Sequence, residues 1–150
     1  MKMRKLIAPA LLLMFSSCVI AAENYVDPVQ KKIDDQHKPL IAKFKKSCQA
    51  KSTVGCQIEA GNRANEAVPN RGTPLYCKQA YSGYTKSQTK DKLKELVKLY
   101  DSLEGQSSNT KWPGKITQSA INFEASCLLE KVGERRDGIV GARLYLGLPV

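Results

Sequence analysis

Apolar side chains crowd one stretch of the chain more than any other. From Ile116 to Val132, ITQSAINFEASCLLEKV, helical spacing puts Ile116, Ala120, Phe123 and Cys127 on one stripe. Ile121, Ala125, Leu128 and Val132 form a second stripe, and Leu129 points in a third direction. Charge enters only at Glu124, Glu130 and Lys131. A helix apolar on most sides is a buried one. The segment therefore predicts the central rod of a small domain. At 1.5 Å per residue it is about 25 Å long, too short and too polar for a bilayer span.

Other periodic segments surround it. Pro28 suits a first helical position behind Asp27, which can cap. Val29, Ile33, Leu40, Ile41, Phe44 and Cys48 continue one stripe, which Pro39 interrupts, so a kink or a junction of two helices is expected near His37 and Lys38. Ser52 or Thr53 caps a second helix, Val54 to Ala67. Ile58 and several alanines form its apolar side, and Gly61 weakens it by about 1 kcal/mol unless another backbone packs there. The segment from Val68 to Pro74 has two prolines and a glycine and reads as a loop. Thr73 and Pro74 open a helix bearing Leu75, Tyr76 and Ala80. Thr89 to Glu104 is the clearest amphipathic stretch, with Leu93, Leu96, Val97, Tyr100 and Leu103 in one arc. Gly105 stops it, and Gln106 to Thr110 reads as a surface loop. Ile139 to Val150 is an apolar tail with one charge, Arg143. No stretch alternates as a strand would. The pattern predicts an all-α fold: a small single-domain bundle of four to five helices around a central buried helix.

The amino terminus changes the picture of compartment. Lys2, Arg4 and Lys5 precede an apolar run, Leu6 to Phe15, and then small residues. This is the three-part pattern of a secretory signal, with cleavage after Ala21 or Ala22. The competing processing uses Cys18, where Phe15-Ser16-Ser17-Cys18 is an imperfect lipoprotein motif. Residues 1–22 are thus expected to leave a mature domain of 23–150, exported to a bacterial periplasm or tethered at the outer membrane. Four further cysteines, Cys48, Cys56, Cys77 and Cys127, suit export as two disulfides. The preferred pairing is Cys48 with Cys56 across a helix–turn–helix, and Cys77 with Cys127. Their spacing and the single histidine argue against zinc, and no metal or cofactor is expected.

Charge then bears on partners. The chain has 24 basic and 14 acidic residues; removing Lys2, Arg4 and Lys5 leaves 21 against 14, a net charge of +7. Such a surface attracts an acidic protein or an anionic envelope polymer. Nucleic acid is not an expected partner, and a membrane is expected only through lipid at Cys18.

Catalytic groupings are sparse. His37, the one histidine, reads as exposed surface. Asp34 and Asp35 are neighbours that point apart, whereas acid–base pairs must converge. No glycine-rich phosphate loop and no HExxH motif occurs. A non-catalytic role is therefore expected, with function at the surface. Tyr76, Tyr81 and Tyr84 lie among Lys86, Lys90, Lys94 and Lys98, and such a basic–aromatic face can hold an anionic partner. Asn70 and Arg71, on a loop stiffened by flanking prolines, are the second candidate surface. These features suit an exported binding protein, foremost an inhibitor or immunity protein that blocks a secreted toxin such as a cell-wall-degrading enzyme. The alternative is an accessory component or lipoprotein of the cell envelope, in a secretion or conjugation apparatus or in peptidoglycan binding.

Overall fold

A computed structural model describes residues 25–103 and 114–150. The expected leader, with Cys18 and both cleavage sites, lies outside the described residues, as does the loop after Gly105. The described chain is all-helical, with no strand. Six helices occur where four to five were expected: α1 Pro28–Lys46, α2 Thr53–Ala67, α3 Pro74–Tyr81, α4 Lys86–Ser102, α5 Gln118–Lys131 and α6 Gly138–Leu146. The extra element is the apolar tail, most of which is helical. None of these helices is long and apolar enough to cross a membrane.

Most helix starts follow the expected local chemistry. Asp27 accepts from Val29 N and Gln30 N ahead of Pro28. Ser52, Thr73, Thr85 and Thr117 each accept a backbone N–H at the start of α2 to α5. Thr85 and Gln88 complete a reciprocal capping box. α6 is capped differently: Asp137 makes no side-chain cap. Instead Ser126 Oγ accepts from Gly138 N at 2.7 Å and Asn122 Oδ1 from Ile139 N at 2.9 Å, so side chains of α5 hold the start of α6.

Two expectations about α1 need correction. The junction of two helices expected near His37 and Lys38 does not occur: the helix runs unbroken through Pro39. His37 is buried, not exposed, and its Nε2 lies 2.5 Å from the carbonyl of Val68, which accepts its N–H. That bond ties α1 to the end of α2. Ile33 of α1 and Ala60 and Ala64 of α2 are buried, and Cys48 and Cys56 close the turn as a disulfide with Cα atoms 5.5 Å apart.

The main core lies elsewhere. Leu93, Leu96 and Val97 from α4, Ile121, Ala125, Leu128 and Leu129 from α5, and Ile139 and Ala142 from α6 pack with Cys77 and Tyr81 of α3. The central position of α5 agrees with its sequence, but one face differs. Its buried residues are Ile121, Glu124, Ala125, Leu128 and Leu129, a single face centred on the second stripe. Phe123, on the first stripe, is 40 % exposed. An apolar side chain thus lies at the surface of α5 and a carboxylate in the core, where other polar side chains gather around it.

Candidate functional site

Glu124 has no exposed side-chain surface and sits among apolar neighbours. A carboxylate there is tolerable only with its oxygens satisfied. Arg71 Nε donates to Glu124 Oε2 at 2.7 Å, and the phenol of Tyr81 donates to Glu124 Oε1. The other arm of Arg71 donates to Asp27 Oδ2, while Asp27 Oδ1 caps α1. Arg71 and Asp27 are 3 % and 2 % exposed at the side chain. One cation therefore serves two carboxylates. The uncompensated negative charge falls on the amino terminus of α1, where the helix dipole favours it. No buried side-chain nitrogen or oxygen is left without a partner among the described residues. The network joins the start of α1, the loop before α3, the end of α3 and the middle of α5.

Two candidate interaction residues must be reassigned. Arg71 was expected on an exposed loop. It is buried because Asp27 and Glu124, the latter otherwise unpaired in the core, require a cation, and Arg offers the donor fork that suits both. Tyr81 was expected on the basic–aromatic face. It is 4 % exposed, because its hydroxyl is taken by Glu124. Asn70 is half-buried and donates to Asn65 Oδ1 at 2.7 Å. The loop is thus a structural lock. Tyr76 and Tyr84 are partly buried against the core and meet Tyr81 edge-to-face, with ring centroids 6.1 Å and 5.0 Å away. Edge-to-face packing, favoured by the ring quadrupoles, turns the rings toward one another, and they do not form an open platform.

The lysines remain at the surface. Lys86, Lys90, Lys94 and Lys98 are all exposed along α4. Lys94 pairs with Asp91 at 3.4 Å and Lys92 with Glu95 at 2.8 Å. Residues 86–98 still hold five lysines against these two acids. Exposed pairs of this kind contribute little to stability, so the stripe is free to act in encounter.

Ionisation of the buried groups follows from their surroundings. Burial works against the Arg71 cation, but Glu124 and Asp27 outweigh it and raise Arg71 above its ordinary value. Burial, then the charge of Glu124, pushes the Tyr81 phenol far up; Tyr76 is raised by the same two causes. In the unfolded chain a phenol ionises near its ordinary 10.0. Below that pH both states keep the proton and the stabilisation is whole; as pH rises beyond it, the unfolded chain loses protons the fold retains, and stability falls. The melting temperature should therefore decline above about pH 10. Tyr81→Phe should flatten that decline while costing about 1–3 kcal/mol for the lost bond to Glu124. A pH series of thermal melts for both proteins checks this.

The second expected disulfide is absent. Cys77 and Cys127 are free thiols, close enough for each to influence the other's ionisation. Burial raises both thiols above their ordinary 9.0. Exchange needs thiolate, so burial slows closure even of adjacent sulfurs. Protein isolated under reducing conditions and denatured without further reductant should take up an alkylating reagent at Cys77 and Cys127. Prolonged treatment with oxidised glutathione should abolish that uptake, give a 77–127 cross-linked peptide and raise the melting temperature.

No family model matches the chain, and neither a curated protein nor a solved structure does.

Proposed function

We propose that the protein is an exported, non-catalytic binding protein that docks on and inhibits an acidic protein, such as a secreted cell-wall-degrading toxin. The observation that carries this reading is the exposed lysine stripe of α4, set on a helix whose other face is locked into the core. Such a stripe steers an acidic partner, and a rigid support keeps its geometry fixed. The buried ionisable groups do different work: Asp27, Arg71, Glu124 and Tyr81 bind one another, and His37 binds a carbonyl. The Cys48–Cys56 bridge supports an oxidising compartment.

The test is affinity capture from periplasmic extract on the immobilised protein, with mass spectrometry and assay of the captured enzyme. The expected result is an acidic partner whose activity falls on binding. Lys90→Glu/Lys94→Glu/Lys98→Glu should slow association and flatten its salt dependence, with little change in melting temperature. Capture of secretion or conjugation components, without inhibition, would replace this reading with that of an envelope accessory protein.

A further inference from the structure

The tip of the α1–α2 hairpin carries a different surface. Residues 43–58 contain four lysines, Lys43, Lys45, Lys46 and Lys51, and the one carboxylate that reaches them, Glu59, accepts from Gln49 N and pairs with Arg63. All four lysines are exposed. None has an ion-pair partner among the described residues. Val54 and Ile58 sit one turn apart on α2 and are 65 % and 60 % exposed, while Ala60 and Ala64 take the inner side. A shallow open depression of about 370 Å³ lies at the same tip, bordered by Lys45, Lys51, Thr53 and Gln57. The Cys48–Cys56 bridge fixes the turn that presents these groups.

We infer that this tip is a docking surface for an anionic phospholipid bilayer. Val54 and Ile58 enter the boundary between headgroups and acyl chains, and the lysines meet lipid phosphates. Two observations favour a bilayer over a protein. The tip sets two exposed aliphatic side chains among its lysines, a combination absent from the α4 stripe, where no large apolar side chain is exposed. Its one nearby guanidinium, Arg63, is taken up by Glu59 and by the half-buried ring of Phe44, 4.2 Å away. A fluid headgroup layer also requires no fixed partner geometry, so long lysine side chains can extend to it while aliphatic groups insert. Neither feature suffices alone: two aliphatic side chains bind weakly, and basic residues act only near an anionic surface within a Debye length. A second exposed aliphatic pair, Val140 and Leu144 on α6, lacks the cationic rim, since its neighbour Arg143 pairs with Asp101. It serves as a control. The inference is independent of the α4 surface.

The experiment is co-sedimentation of the full chain at low salt with vesicles of phosphatidylglycerol and phosphatidylcholine, or of phosphatidylcholine alone. Binding is expected only to the anionic vesicles, and added salt should release it. Lys45→Gln/Lys46→Gln/Lys51→Gln should weaken it about tenfold or more, and Val54→Ser/Ile58→Ser about tenfold. Both alter exposed positions, so the melting temperature reports whether the fold is retained. Lys90→Gln/Lys94→Gln/Lys98→Gln and Val140→Ser/Leu144→Ser should stay within about threefold of the parent. In a separate readout, Ile58→Trp should shift emission to shorter wavelength with the anionic vesicles. No binding, equal binding to neutral vesicles, tip variants that bind like the parent, or α4 variants as damaging as the tip variants would each overturn the inference. An apolar anchor elsewhere in the chain would appear as the third of these. Capture of the tip by an acidic protein in place of vesicles would overturn it as well.

Discussion

Arg71→Ala is expected to lower the unfolding free energy by about 3–5 kcal/mol, the cost of removing one partner from a buried ion pair. That is a large share of the roughly 5–15 kcal/mol that holds a domain of this size together. The substitution removes the cation from Asp27 and Glu124, which have side-chain exposures of 2 % and 0 %. Tyr81 still donates to Glu124, and the α1 amides still donate to Asp27, but neither supplies positive charge. Two buried carboxylates with no counter-charge remain. Glu124→Gln in the Arg71→Ala background should recover part of the loss, because it removes one of those carboxylates. Arg71→Lys should lie between parent and Arg71→Ala, since an ammonium carries the charge but not the fork that reaches both carboxylates. Urea midpoints for the four proteins measure the series. If Arg71→Ala lowers the unfolding free energy by less than about 0.5 kcal/mol, the value for an ordinary surface change, Arg71 is not the keystone of the fold.

The contrast between legible and illegible features has a physical basis. Helix starts are local: Asp27 before Pro28, Thr73 before Pro74 and Thr117 before Gln118 cap as their side chains dictate, whatever the rest of the chain does. The Cys48–Cys56 turn is nearly as local, with a sequence separation of 8. The network is not local. Arg71 meets partners 44 residues before it and 53 after it, and no periodicity encodes such a meeting. A partial signal exists. Glu124 falls on the α5 face between Ile121 and Leu128, and a charge inside an apolar stripe demands a buried counter-charge. The sequence does not name which cation answers. Pro69 to Pro74 reads as a surface loop that offers Arg71 to a partner, whereas the loop's rigidity delivers Arg71 inward. The tyrosines of the basic–aromatic face are drawn inward for the same reason: Glu124 takes the Tyr81 hydroxyl, and Tyr76 and Tyr84 pack around that ring. The lysines of α4 have no such acceptor in the core and stay where amphipathic periodicity puts them.

Gly72→Ala, next to Arg71, should be nearly as costly, by a steric route. Gly72 has φ +78°, in the left-handed region that residues with a Cβ rarely adopt. A Cβ there would lie 2.8 Å from both Cα and Cβ of Ala120 and 2.9 Å from its carbonyl oxygen. These are backbone-anchored atoms in the first turn of α5, so relief requires the loop or the helix to move. Strain at a left-handed non-glycine position costs about 1–3 kcal/mol, and forced overpacking adds about 1–3 kcal/mol. A loss of about 2–6 kcal/mol is expected from the two together. Any shift of the loop also pulls Arg71 from Glu124, so Gly72→Ala and Arg71→Ala should be less than additive in the double variant. Gly61→Ala supplies the opposite sign. Gly61 lies inside α2, and a Cβ built on it meets nothing within 4 Å. With no backbone packed against it, alanine should stabilise by about 0.5–1 kcal/mol through helix propensity and a less flexible unfolded chain. Chemical denaturation of both variants decides the matter. A Gly72→Ala protein as stable as the parent would mean that the loop does not press on α5 and does not fix Arg71 in the core.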